Sequence, residues 1–353
     1  MMKEEIKRRQ MTNQYLITKT DKMTAVRDLC GVQAQFTANA VHALKIRCHD
    51  FNEETLAEGL VKNWTIRGTV HVFAESDLAL FKHCDNGKKY RSEMFSGYVS
   101  GRPDGSKRPW TLTPERQKYF SNLILNAVQN APQTRDELKA LCLQNGMTEI
   151  EEASMFDAWG GGIRDLCERG FMNYVVQEKK AYTPAPPFTP IPEETANLEI
   201  ARRYFTNIGP ATIHDAMYFF HATAAQVKTW LSALPVNTLE CEGKTYYYIE
   251  NGKSYEKEIP DCIFLAGFDQ LMLGYQKKES LYLKETHLRD IFHLQGIVMP
   301  AVLLRGEVIG KWKKSGKKLT VTAFEGITSA DKDIIAHTAK TLFGENVKIF
   351  FEG

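Results

Sequence analysis

The chain has 353 residues, 43% of them hydrophobic and 25% charged, with a formal net charge of +2; this is an ordinary globular composition with material for two or three folded units, not a fibrous or disordered one. A charge so close to neutral does not mark a nucleic-acid binder by itself, so the placement of charge matters more than its sum. The charged opening MMKEEIKRRQ leads into no apolar run of signal-peptide type and no stretch approaches the roughly 18 apolar residues of a membrane span, which points to the cytoplasm.

Helices are predicted over residues 4–17 and 22–30, then from Phe36 to Cys48 with Ala38, Val41, Leu44 and Ile46 on one side, then over 53–62 with Asn52 as cap. The segment WTIRGTVHVF (Trp64–Phe73) alternates around a central glycine, as a short hairpin does. Three helices followed by a two-stranded ribbon describe a winged helix-turn-helix, whose recognition helix enters the major groove of DNA. A further helix starts at Glu75. The stretch Ser96–Pro114, rich in Gly, Pro and Ser, carries Arg102, Lys107 and Arg108 and reads as an exposed basic loop.

The pattern then recurs. A helix over 114–130, a helix over 135–144 capped by Thr134, a helix near 149–168 and a strand pair within Phe171–Pro184 form a second winged unit. Prolines from Pro184 to Pro192 mark a stiff linker. A helix over 193–207, IGPATIHDAMYFF opening a helix near Pro210, TAAQVKTWLSAL as recognition helix, and the strands NTLECEG and KTYYYIE form a third. From Ile259 the character turns to β: DCIFLAGF, IVMPAVLLRG, EVIGKW and KKLTVTAF, a helix around 329–343 and a last strand VKIFF. The fold class is therefore α+β. Tandem winged units are expected over 1–112, 113–190 and 191–258, and a β-rich C-terminal region with a basic hairpin over 259–353.

Seven cysteines (Cys30, Cys48, Cys84, Cys142, Cys167, Cys241, Cys262) form an odd set without a CxxC pair, which argues against zinc and disulfide frameworks. Most sit in apolar helical surroundings, where a thiol serves as a small buried hydrophobe. No metal site or organic cofactor is read from the chain. GxSxG, HExxH, Walker and strand-following GxGxxG motifs are all missing. GGGIRD (Gly160–Asp165) lacks the downstream Lys-Ser/Thr of a phosphate loop and reads as a helix break or a close helix approach.

The strongest physical pointer to a partner is the hairpin tip, where Lys311, Lys313, Lys314, Lys317 and Lys318 surround Trp312 and Gly316 with no acid between 311 and 318. Such a ribbon suits a phosphate backbone, although a solvated turn has the same composition. Trp312 is either an apolar wedge or a core residue. In GVQAQ, Gln33 and Gln35 diverge on a helix but share a face in an extended segment, where two amides can hold one water; capping in a turn is the plainer use of the same residues.

Taken in order, GVQAQ, WTIRGTVHVF, IGPATIHDA, FDQLMLGY (Phe268–Tyr275) and MPAVLLRGEVIGKW (Met299–Trp312) resemble the bacterial winged-helix family that includes the AlkZ-like DNA glycosylases, along nearly the whole chain. The resemblance implies three winged helices and a β-rich region in a C-shape, cradling duplex DNA with an alkylated or cross-linked base. It also implies a catalytic pair at Gln33 and Gln35, with Ala34 where relatives carry a larger aliphatic. Arg67 and His71 become candidates for DNA contact or for orienting the site, and Asp269 for a supporting or capping carboxylate. A hydrogen-bonded strand histidine explains His71 as well. The expected protein is a monomer, at the nucleoid when bound to DNA, with no obligate protein partner. A sequence-reading regulator and a protein-interaction scaffold are the alternatives.

Overall fold

The computed structural model describes residues 2–82, 110–157 and 161–352. They form two compact units: residues up to Glu54 pack with those from Leu198 onward, and Thr55–Asn197 form the other.

The first stretch holds α1 (Met2–Asn13), α2 (Lys22–Asp28), the short extended β1 (Val32–Gln33) and α3 (Thr37–Lys45). Helix α1 stops before residue 17 because Tyr15 takes φ +61° and the Leu16 N–H returns to the Met11 carbonyl at 2.9 Å. Its buried side is polar: Gln10 donates to the Pro210 carbonyl at 2.6 Å, Asn13 to the Gly209 carbonyl at 2.8 Å and Gln14 to the Tyr275 hydroxyl at 2.7 Å. Buried amides need such partners, and these bind α1 to the C-terminal half of its own unit.

The second unit contains β2 (Leu60–Trp64), β3 (Val70–Ala74), α4 (Leu78–Phe81), α5 (Pro114–Asn130), β4 (Gln133–Thr134), α6 (Arg135–Gln144), α7 (Glu149–Met155), α8 (Gly162–Glu168), β5 (Met172–Tyr174) and β6 (Ala181–Pro184). The helix expected over 53–62 does not form. Asn52 accepts from the Glu54 N–H, but only the 3-10 turn Glu53–Thr55 follows, and Gly59 at φ +70° swings the chain into β2. The hairpin therefore starts at Leu60, paired with Ala74, and its loop turns at Gly68 with φ +68°. Five antiparallel strands lie side by side in the order β3-β2-β5-β6-β4. The helix expected near 149–168 splits into α7 and α8. A Cβ on Gly161 would stand 2.6–2.7 Å from backbone atoms of Ser154, Met155 and Asp157, so that glycine permits a close approach; Gly160 lies outside the described residues.

The third stretch holds α9 (Glu193–Asn207), α10 (Ile213–Phe220), α11 (Ala224–Ala233), the hairpin β7 (Asn237–Cys241) and β8 (Lys244–Tyr248), then β9 (Cys262–Phe264), α12 (Gln270–Leu273), α13 (Leu288–Ile291), β10 (Ala301–Leu304), β11 (Glu307–Ser315), β12 (Lys318–Ala323), α14 (Ser329–Phe343) and β13 (Lys348–Glu352). Thr212 with Asp215 and Thr223 with Gln226 form capping boxes that start α10 and α11. The C-terminal strands run β13-β12-β11-β10-β9, with β13 parallel to β12 through the α14 crossover. Ile335 and Ala339 of α14 cover Phe264, Leu319 and Val321. The six described cysteines are all free and buried.

Candidate active site

The site begins where α2 ends. Leu29 closes the helix, Cys30 at φ +57° and Gly31 at φ +90° reverse the chain, and the Gly31 N–H returns to the Val26 carbonyl at 2.8 Å. This is a Schellman-type stop in which Cys30, a residue with a Cβ, holds the left-handed position usually given to glycine, and Gly31 follows it at positive φ. Gln33 follows in extended conformation, Ala34 is fully buried, Gln35 sits at an exposed bend, and α3 starts at Thr37. The chain is thus non-helical at both glutamines, with Gln33 in the short strand and Gln35 in the bend that follows. Gln33 is buried at 8% exposure, and among the described residues neither amide side chain is held by a hydrogen bond.

Behind this loop lies the FDQLMLGY segment. Phe36, the residue after Gln35, stacks on Phe268 with ring centroids 6.1 Å apart and planes at 30°. Phe268 takes φ +58°, a conformation unusual for an aromatic residue and worth a functional question. Asp269 is fully buried. It caps α12 by accepting from the Leu271 N–H at 2.9 Å, and it grips the equally buried Arg47 in a two-pronged pair, with Nη1 2.9 Å from Oδ2 and Nη2 2.6 Å from Oδ1. Arg47 also donates to the Gln14 and Ala43 carbonyls at 3.0 and 3.1 Å. Asp269 is thus capping and supporting. Its partner Arg47 escapes sequence reading, because 222 residues separate the two. On α3, His42 donates through Nε2 to the Phe264 carbonyl at 2.7 Å, and burial pushes its pKa down.

The hairpin of the second unit brings Arg67 and His71 into electrostatic reach of each other. His71 is buried at 1% exposure. Its Nδ1 lies 3.0 Å from the Thr69 carbonyl and 3.1 Å from Thr65 Oγ1. A carbonyl only accepts, so Nδ1 carries the proton and Nε2 presents a lone pair, which has no partner among the described residues. Burial first, then the Arg67 charge, lowers the pKa to about 3. His71 is therefore a neutral acceptor near pH 7 and cannot be a cationic phosphate contact.

Strands β11 and β12 meet in a two-residue loop, Gly316-Lys317, closed by the Ser315–Lys318 pair. Gly316 at φ +56° supplies the positive φ of a hairpin turn. Lys313, Lys314, Lys317 and Lys318 are exposed and Lys311 is half-buried. Trp312 corrects one expectation. It is 9% exposed, packs 5.7 Å from Phe264 and 5.3 Å from Phe343, and donates its indole N–H to the Leu265 carbonyl at 2.9 Å. Both its apolar body and its donor are satisfied in the core, so it is not the wedge. The pleat puts Lys313 on one face and Lys314, whose ammonium lies 5.9 Å from the Phe343 ring, on the other. Sequence reading missed Lys348, which pairs in register with Lys318 and adds an exposed cation to the ribbon. Arg102, Lys107 and Arg108 lie outside the described residues.

Known proteins resemble this chain along most of its length. The family described as DNA glycosylase AlkZ-like matches residues 26–343. The interstrand DNA cross-link repair glycosylase of Streptomyces sahachiroi is 26% identical over 343 residues, covering 89% of this chain and 88% of that protein. The solved structure of the Streptomyces sahachiroi DNA glycosylase AlkZ superposes with a TM-score of 0.76 over 99% of this chain and 98% of that one, at 20% identity. The last of these is a likeness of fold.

Proposed function

Because the chain belongs to the AlkZ-like DNA glycosylase family, we propose that it hydrolyses the N-glycosidic bond of alkylated or cross-linked purines in duplex DNA, with Gln33 and Gln35 holding the attacking water. The observation that carries this reading is the pair of amides that a Schellman-type stop presents in non-helical chain, neither of them bound to another described group. A purine alkylated at N3 or N7 is cationic and leaves as a neutral base, so bond breaking has oxocarbenium character and needs little help from an acid. A glutamine cannot deprotonate water. Two amides can nevertheless fix a water in line with C1′ and accept from it as positive charge develops, which is catalysis by positioning and electrostatics. Such a site acts on charged, destabilised bases and spares normal ones. Cross-linked bases enter the substrate class because the Streptomyces sahachiroi relative is named for interstrand cross-link repair.

The helix–hairpin segments over 1–112, 113–190 and 191–258 are read as winged helices that contact duplex DNA. The hairpin lysines, Arg67 and the cations Arg102, Lys107 and Arg108 are read as phosphate contacts, and the protein as a monomer. No lysine is placed as a Schiff-base nucleophile, so the product is an abasic site.

The test is release of 7-methylguanine and 3-methyladenine from alkylated duplex DNA, and of the base from a cross-linked duplex, under single-turnover conditions. Gln33→Ala and Gln35→Ala should each slow release by roughly 100-fold, the scale of losing one transition-state contact. Release unchanged in both variants would refute the water-holding role. Binding without release from any of these substrates would refute the glycosylase reading.

A further inference from the structure

After α13 the chain makes a tight excursion. Phe292 pairs with Val298 across an antiparallel bridge, the His293 N–H donates to the Ile297 carbonyl at 2.9 Å, and the Gly296 N–H donates to the His293 carbonyl at 3.1 Å, with Gly296 at φ +78°. At the tip stands Leu294, 85% exposed and the barest large hydrophobic side chain among the described residues. Burying a leucine is favourable, yet this one is held out in solvent by an ordered turn.

At the foot of the turn is a pocket of about 270 Å³ lined by Lys277, Lys278, Arg289 and His293 around the rings of Tyr218 and Phe292, with no carboxylate in the lining. The Lys277 ammonium sits 4.9 Å from the Phe292 ring and 5.6 Å from the Tyr218 ring. Burial, and then the Arg289 charge, hold its pKa below the ordinary lysine value. Like charges gathered in a concave site without an acid call for an anion, and an aromatic floor excludes water from around it.

This turn is tied to the glutamines within one unit. The Val298 carbonyl, at the base of the turn, accepts from the Phe268 N–H at 3.2 Å, and the Phe268 ring stacks on Phe36, the residue after Gln35. The left-handed backbone at Phe268 joins the two contacts. We propose that Leu294 is an apolar wedge that enters the base stack of duplex DNA beside the lesion, while Lys277, Lys278 and Arg289 hold the flanking phosphates. The proposal rests on the reading that the chain acts on DNA, and it gives the wedge role to a residue other than Trp312. Insertion costs the stacking of one base step. A leucine desolvated between bases and the phosphate contacts beside it offset that cost, and a site already weakened by damage needs less.

The experiment uses duplex DNA with a non-hydrolysable tetrahydrofuran abasic analogue next to 2-aminopurine, whose fluorescence rises when it loses its stacking partner. The native protein should raise the signal roughly 3-fold or more on binding, and Leu294→Phe should retain the rise. Leu294→Ala, at an exposed position where folding is not at stake, should abolish it. Lys277→Ala combined with Arg289→Ala should lower the slope of log K against log salt by about 1.8, at about 0.9 per lost phosphate contact. An equal rise in Leu294→Ala, or no rise with native protein bound, overturns the proposal. Because the readout involves no base release, and Gln33→Ala should leave it intact, it fails separately from the glycosylase reading.

Discussion

Asp269→Asn tests whether the carboxylate of the FDQ segment is chemical or structural. The substitution keeps an oxygen that can cap α12, but it leaves the Arg47 guanidinium buried without its counter-charge, and both groups of the native pair are 0% exposed. Removing one partner of a buried ion pair costs about 3–5 kcal/mol. Asp269→Ala also removes the N-cap bond to Leu271, worth about 1 kcal/mol, for a total of roughly 4–6 kcal/mol. Against the 5–15 kcal/mol typical of a folded protein, that is enough to lower the urea midpoint sharply. The double variant Arg47→Met with Asp269→Leu, which removes both charges, should recover about 2 kcal/mol or more relative to Asp269→Ala. Urea unfolding followed by tryptophan fluorescence, beside single-turnover base release by whatever fraction stays folded, makes the comparison. Asp269→Asn within about 1 kcal/mol of native stability, whatever its rate of release, would refute the structural assignment.

Trp312→Ala should lose about 3–5 kcal/mol of stability by opening a cavity against Phe264 and Phe343, whereas Trp312→Phe should stay folded and bind DNA as the native protein does; weakened binding by the folded Phe variant would restore a contact role. Lys313→Gln and Lys314→Gln, on opposite faces of β11, should separate in a salt titration. If DNA takes one face only, one of them alone lowers the slope by about 0.9, and no change in either would remove the hairpin from the interface. For His71 the folded pKa of about 3 lies below the ordinary value of 6.5, so between those limits the unfolded chain binds a proton that the folded one does not. Stability should therefore fall as pH drops from about 6.5 toward about 3. His71→Gln should flatten that part of a pH series of unfolding midpoints, and an unchanged slope would show that His71 is not what titrates.

What sequence reveals here depends on how far apart the deciding residues lie. Thr134 announces the helix Arg135–Gln144 because a capping box is complete within four residues. The stretch EETLAEGLVK has helical composition, yet Gly59 and the pairing of Leu60–Trp64 with Val70–Ala74 turn its second half into strand, a choice made by partners outside the window. Trp312 was legible in principle, since strict alternation from Glu307 puts it on the face of buried Val308. The run of lysines around it is what keeps a wedge role open beside the core reading until Phe264 and Phe343 are seen to enclose the ring. The pair Arg47–Asp269 was not legible, because nothing local in either segment names the other.

That last failure bears on how the site works. A glutamine pair has no acid or base strength, so whatever rate it confers must come from where its amides are held, and misplacement by about 1 Å can cost two orders of magnitude. The glutamines sit on a short loop between α2 and α3. Beside its local hydrogen bonds, the N-terminal stretch has anchors more than 190 positions away, among them Asn13 on Gly209, Arg47 on Asp269, His42 on Phe264 and Phe36 on Phe268. Three of these four fall within Phe264–Asp269, directly before α12. If Gln33 and Gln35 hold the water as proposed, the FDQ segment is the surface against which their loop is set, and it acts without touching the reacting atoms. On that proposal, loosening the Arg47–Asp269 pair should slow base release as well as lower stability.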